Sequence, residues 1–257
     1  MTRTKAVNVR GTEIGSGQPI ICIPLISQSV DQLVKECKQA VSKKPDMIEW
    51  RADFFSELAN LESVIVAARM IRGEVGEIPL LFTIRSIHEG GQPVERSEEE
   101  IVNLINAICR TGYIDLVDYE IRNDQQRIEG VLATAKQAGV YVVLSYHNFE
   151  KTPESSILID KLRQAEQLGA DMAKIAVMPQ SNADVLQLLQ AAQTTQEELS
   201  IPLIAISMGG LGAITRVAGW MFGSAVTFAI GNEESAPGQI PIADLRAMIT
   251  QLQNASN

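Results

Sequence analysis

A chain of 257 residues with 46 % hydrophobic content can bury a sizeable core, and no linker, low-complexity tract or internal repeat divides it, so 1–257 is expected to form one domain. Its formal net charge of −9, with no basic cluster, excludes a surface built for nucleic acid. Cys22, Cys37 and Cys109 are an odd number at unrelated spacings, which specifies neither a disulfide framework nor a zinc site and fits a reducing cytoplasm.

The opening stretch MTRTKAVNVRGTEIG lacks the apolar core of a leader peptide. PIICIPLI (19–26) then reads as an apolar strand, followed by a helical pattern over 29–43. DMIEWRAD (46–53) is the second strand, with a helix expected over 57–72. PLLFTIR (79–85) is the third, and SEEEIVNLINAICR (97–110) combines a capping box, Ser97 to Glu100, with helical periodicity. IDLVDYEI (114–121) precedes a helix over 124–138 that Gly139 ends. VYVVLSYH (140–147) is the fifth strand, and the next helix lies within TPESSILIDKLRQAEQLG (152–169). DMAKIAVMP (171–179) is the sixth strand, before a helix over 182–198. IPLIAISM (201–208), SAVTFAI (224–230) and a last helix over 241–253 complete the alternation. Between Glu198 and Glu233 the only charge is Arg216. It splits that stretch into two uncharged runs that Pro202 and several glycines break further, so buried strands are expected there and no membrane span.

About eight strand–helix units in roughly 250 residues are the signature of a parallel (β/α)8 barrel, the TIM barrel. A doubly wound sheet would carry a dinucleotide fingerprint after its first strand, and none is present. In a barrel the chemistry sits at the C-terminal ends of the strands. There the sequence places Glu49 and Arg51, Arg85 with Glu89 beyond it, Asp118 and Glu120, His147, Lys174, and Arg216 after the seventh strand. Lys174 interrupts an otherwise apolar strand. Burying an ammonium costs several kcal/mol, and burial favours the neutral, nucleophilic amine. His147 ends the neighbouring strand, about 4.8 Å away, close enough for an imidazole to move protons on whatever the lysine holds. With two histidines and no His-x-His or Cys-x-x-Cys spacing, no metal site is expected. The residues taken alone indicate a Schiff-base lyase acting on an anionic carbonyl compound.

Six segments, IEWRAD, LLFTIRS with EGG, SYHNF with KTP, KIAVMPQS, ISMGGLGAITRVAG with FGS, and SAPGQI, resemble the type I (class I, Schiff-base) 3-dehydroquinate dehydratases of the shikimate pathway. The resemblance runs from ICIPL to the C-terminal helix. It implies a barrel enzyme, commonly a homodimer, that takes the small molecule 3-dehydroquinate and needs no metal or organic cofactor; the cytoplasmic location expected from the cysteines fits it. It further implies Lys174 as the imine-forming lysine, His147 as the proton shuttle and Glu89 as the carboxylate that orients it. Arg216 resembles the main carboxylate clamp, and Glu49, Arg51 and Arg85 the polar floor that grips ring hydroxyls. Ser235 and Gln239 resemble a loop that closes over substrate, with Phe228 and Met208 as packing walls. One departure is visible: Gly209-Gly210 stands where many relatives place a small residue followed by lysine.

Two other readings stay open from residues alone. A class I aldolase or transaldolase would share the barrel and the lysine, and Gly209, Gly210 and Gly212 could then cradle a phosphate. His147 with Glu89 beside the lysine distinguishes the dehydratase. A non-catalytic barrel predicts the loss of at least one of these positions, and all are present.

Overall fold

The computed structural model describes residues 6–256; the two ends of the expected 1–257 domain, residues 1–5 and 257, lie outside them. An antiparallel hairpin comes first, β1 (Val7–Val9) with β2 (Thr12–Ile14). Strands and helices then alternate as β3 (Ile20–Leu25), α1 (Val30–Ser42), β4 (Met47–Arg51), α2 (Leu61–Val75), β5 (Leu80–Thr83) and α3 (Glu98–Cys109). The order continues through β6 (Leu116–Glu120), α4 (Gln125–Ala138), β7 (Tyr141–Asn148), α5 (Ser155–Leu168), β8 (Met172–Val177) and α6 (Asn182–Gln196). It ends with β9 (Leu203–Ser207), α7 (Gly209–Ala218), β10 (Val226–Ile230), the short β11 (Ile240–Pro241) and α8 (Ile242–Ser256).

From β3 to β9 each strand pairs in parallel with the next, and β10 returns to pair with β3. The circle meets between β9 and β10 through one bridge, Leu203 to Ser224, where Ala225 N–H donates to the Leu203 carbonyl at 2.8 Å. The architecture is a (β/α)8 barrel, closed at its base by this short seam.

Alternation along the strands sorts side chains into two cores. Outward residues such as Trp50, Phe82, Val117 and Ile175 pack with the inner faces of the helices. Trp50 meets Phe55 and Phe82 edge-on, with centroids 5.8 and 5.3 Å away, and truncating it to alanine would cost about 3–5 kcal/mol. Inward residues Met47, Leu81, Leu116, Val143 and Met172 form a second apolar layer low in the barrel, joined by Val9 and Ile14 of the hairpin. Higher up, the same inward period delivers Glu49, Arg51, Thr83, Asp118, Glu120, Ser145 and Lys174, all buried.

Element ends differ from expectation where local chemistry decides them. The helix expected over 57–72 begins at Leu61, because the Asn60 side chain accepts from the backbone N–H groups of Glu62 and Ser63 at 3.0 and 3.3 Å. The third barrel strand stops at Thr83, so Arg85 stands on the following loop and not on the strand expected over 79–85. The helix within 152–169 starts at Ser155. The Ser97–Glu100 capping box is present as expected. The hairpin and β11 are additions that the alternation of longer elements does not reveal.

Candidate active site

Lys174, His147, Glu89, Glu49, Arg51, Arg85, Arg216, Ser235, Gln239, Phe228 and Met208 all line one cavity at the C-terminal mouth of the barrel. His88 does not join them; it is exposed on the short helical turn 87–89.

Lys174 is central in β8 and only 6 % exposed. Its Nζ lies 3.1 Å from Asp118 Oδ2 and 4.6 Å from the centroid of the Phe228 ring. Asp118 Oδ1 accepts from Arg85 Nη2 and from Ser145 Oγ, each at 2.6 Å. Burial alone would raise the Asp118 carboxyl, but Arg85 and Lys174 outweigh it and hold it well below the usual carboxylate range. Arg85 is shared further: Nη1 donates to Glu120 Oε1 at 3.1 Å and to Ser145 Oγ at 3.0 Å. Glu120 is fixed in turn by the Ser86 N–H and hydroxyl at 2.8 and 2.6 Å. The lysine therefore rests on a hydrogen-bonded polar network with little freedom to shift.

His147 lies one inward position above Ser145 on β7, and Ser145 is registered beside Lys174. Its Nδ1 is 2.8 Å from Glu89 Oε2, which also accepts the His147 backbone N–H at 3.0 Å. Two donations from one residue to one oxygen set the ring plane, leaving Nε2 as the nitrogen able to take a proton. Burial disfavours charge on both partners. It lowers the His147 imidazole well below its ordinary value, with Arg85 and Lys174 adding to the effect. It also pushes the Glu89 carboxyl up to about 8, with Glu120 next in effect. Glu89 Oε1 has no protein partner.

The remaining walls are polar on one side. Glu49 accepts the Thr83 hydroxyl at 2.8 Å. Arg51 makes a two-pronged contact with Asp53 at 2.8 Å on both arms, which aligns its guanidinium plane. Asp53 also accepts the Arg85 and Gln92 backbone N–H groups, tying β4 to the loop that carries Glu89. Arg216, on α7, is 2 % exposed and bears no carboxylate. Its donors go to the carbonyls of Phe228 and Pro237 at 3.3 and 3.0 Å. Burial lowers its pKa to about 10, with Glu234 the one group acting against that shift. Ser235 and Gln239 bond each other across the loop, with Ser235 N–H donating to Gln239 Oε1 at 2.9 Å.

Of the glycines after β9, the first is engaged. Gly209 N–H already donates to the Pro237 carbonyl at 2.9 Å. Among the described residues no three His, Cys, Asp or Glu side chains converge to hold a metal ion, and no helix is long and apolar enough to cross a membrane. Sequence reasoning left three participants without a role. Asp118 and Glu120 are visible as inward carboxylates on one strand, but their partners depend on pairing across the sheet. Ser145 carries no signal at all.

The fold and this cavity define a (β/α)8 barrel whose mouth combines a buried amine, a buried imidazole–carboxylate pair and an unpaired guanidinium. Comparison with known proteins gives the particular family. A family model described as type I 3-dehydroquinase matches residues 21–256, and the chain belongs to that family. The 3-dehydroquinate dehydratase of Geobacillus kaustophilus (strain HTA426) is 51 % identical over 252 residues, covering 98 % of each chain. The crystal structure from that organism superposes with a TM-score of 0.97 at 50 % identity, covering 100 % of both chains. The type I enzyme from Clostridium difficile gives a TM-score of 0.95 at 38 % identity, covering 98 % of this chain and 99 % of that one.

Proposed function

We propose that Lys174, His147 and Glu89 carry out the dehydration of 3-dehydroquinate to 3-dehydroshikimate, the family's step in the shikimate pathway. The observation that carries this assignment is the buried Lys174 on the same cavity as the His147–Glu89 pair. The Lys174 amine adds to the ketone carbon, and loss of water from the adduct leaves an iminium. That iminium is an electron sink, so the adjacent C–H becomes acidic and His147 Nε2 removes its proton. The enamine expels the β-hydroxyl, which takes the proton His147 holds and departs as water. Hydrolysis of the conjugated iminium by one water then frees Lys174 and the enone, for a net loss of one water. Glu89 keeps the imidazole in the tautomer that does this.

Binding is assigned to the other eight residues. Arg216 takes the substrate carboxylate, supported by its burial without any carboxylate partner. Desolvating a guanidinium costs several kcal/mol, and an incoming anion would supply the missing compensation. Glu49, Arg51 and Arg85 meet the ring hydroxyls, Ser235 and Gln239 close above, and Phe228 and Met208 flank the ring. The proposal extends to one catalytic domain over 1–257, working as a homodimer without metal or organic cofactor, as the family resemblance implies, and in the cytoplasm, as expected from the cysteines.

Absorbance of the conjugated enone, followed on mixing with 3-dehydroquinate, tests the activity directly. Borohydride reduction during turnover should add the ligand's mass to a peptide containing Lys174, and a sugar phosphate should give no adduct. An adduct with the sugar phosphate alone would favour an aldolase.

A further inference from the structure

The loop 231–239 that carries Ser235 and Gln239 meets α7 at Pro237 and Gly238. There the Pro237 carbonyl accepts two donors from that helix, Gly209 N–H at 2.9 Å and Arg216 Nη2 at 3.0 Å. The crossing is backbone on backbone. A Cβ on Gly238 would lie 2.2 Å from the Gly209 oxygen and 2.6 Å from its carbonyl carbon, and both glycines have positive φ, +79° and +68°. At Gly238 a side chain is excluded by contact and by conformation together, whereas at Gly209, whose Cβ would meet only the Met178 sulfur at 3.4 Å, the positive φ alone disfavours one. Gly210, the next residue, faces open space at ordinary φ.

We infer that Gly209 and Gly238 are positioning residues that latch the loop onto α7, making Arg216 a shared donor between the loop carbonyl and the substrate carboxylate. The inference rests on the reading of Arg216 as carboxylate clamp. A guanidinium has five N–H groups. One from Nη1 goes to Phe228 and one from Nη2 to Pro237, while Nε has no protein partner. Docking of the loop thus fixes the plane in which the remaining N–H groups meet a carboxylate. By linkage the effect is reciprocal: a bound carboxylate holds Arg216 in the orientation that serves Pro237, and the loop tightens by the same factor.

The test compares Gly238→Ala and Gly209→Ala with Gly210→Ala. Three ligands are used: 3-dehydroquinate, the same ring with its ketone reduced to a hydroxyl, and that reduced ring lacking the carboxylate. Both latch variants should raise KM for 3-dehydroquinate at least tenfold, while saturating substrate still gives the borohydride-trapped Lys174 adduct. Gly210→Ala should match the unsubstituted protein. Affinity for the reduced carboxylate ligand should fall in the latch variants, and affinity for the decarboxylated ring should not. In the unsubstituted protein, hydrogen exchange of the Gly209 amide should slow with the reduced carboxylate ligand and stay unchanged with the decarboxylated one. This measurement stands even if a variant fails to fold. Equal losses for both reduced ligands, an unchanged KM in folded variants, or a Gly209 amide indifferent to the carboxylate would each overturn the latch. Absence of any Lys174 adduct in the unsubstituted protein would instead overturn the functional reading beneath it.

Discussion

Asp118 holds Lys174 and Arg85 with opposite oxygens of one buried carboxylate, Oδ2 at 3.1 Å from the amine and Oδ1 at 2.6 Å from the guanidinium. Removing a partner from such a cluster leaves buried charge uncompensated, typically at about 3–5 kcal/mol. Asp118→Asn keeps the shape and removes the charge, so urea unfolding should show a loss of about that size. A loss below about 1 kcal/mol would mean that Glu120 and Ser145 already suffice.

Lys174→Ala should fold and retain weak affinity for the ligand, since Arg216 and the Arg51–Asp53 pair are untouched. It should give no mass adduct after borohydride reduction. An adduct of undiminished yield in this variant would place the nucleophile elsewhere.

His147→Ala should lower turnover at saturating substrate by at least the roughly 10²–10⁴-fold typical of general acid–base catalysis. The loss grows if the same imidazole moves protons during imine formation and hydrolysis. Near-normal turnover would remove His147 from the mechanism.

The buried pair also sets a pH dependence of stability. His147 has a lowered folded pKa, so its contribution is complete above the unfolded value of about 6.5 and is lost only as pH falls below that. Glu89 is raised to about 8, so its contribution is complete below the unfolded value of about 4.3 and is lost as pH rises towards 8. Between about pH 6.5 and 8 only Glu89 acts, and it makes the protein less stable as pH rises. Glu89→Gln abolishes that titration. Across the window the variant should gain up to about 2 kcal/mol relative to the unsubstituted protein, at about 1.4 kcal/mol per pH unit. Parallel stability curves between pH 6.5 and 8 would show that Glu89 is already ionised there.

Arg216→Ala should cut kcat/KM by roughly 30- to 4000-fold, from the about 2–5 kcal/mol that truncating one side of a buried charged pair costs. Most of the loss should appear in KM, because the substrate carboxylate is charged before and after the transition state. Arg216→Lys should recover only part, since it keeps the charge and loses the planar fork. A variant that melts far lower yet keeps a normal KM would make Arg216 structural.

What was legible in the sequence follows from what is local. Strand alternation with helical periods is a property of short windows, so all eight barrel strands could be placed within a few residues. A charged group in an apolar run stands out because burial is costly, which is how Lys174 and Arg216 were singled out. The Asp118–Lys174 contact was not legible, because it depends on register through an intervening strand: Asp118 opposes Val143 on β7, while Ser145 opposes Lys174 on β8. The Gly209–Gly238 crossing was hidden for the same reason. It joins the start of a helix to a loop beyond the next strand, and a glycine in sequence does not say what leans against it.

The hairpin beneath the barrel bears on how the chain is made. Arg10 pairs with Asp115 and Glu77, the Tyr141 hydroxyl donates to the Asn8 carbonyl, and Gly15 lies against the Pro202 ring. These partners arrive long after the hairpin during synthesis, and the ring it plugs is complete only when β10 reaches β3. Until then Val9 and Ile14 have no cavity to fill, and the open sheet offers unpaired edges at β3 and at the newest strand. Contacts so distant in sequence form slowly because the loop must close before they stabilise anything. The stage most exposed to aggregation is therefore the seven-stranded sheet, with β10 not yet paired and the hairpin not yet seated beneath it.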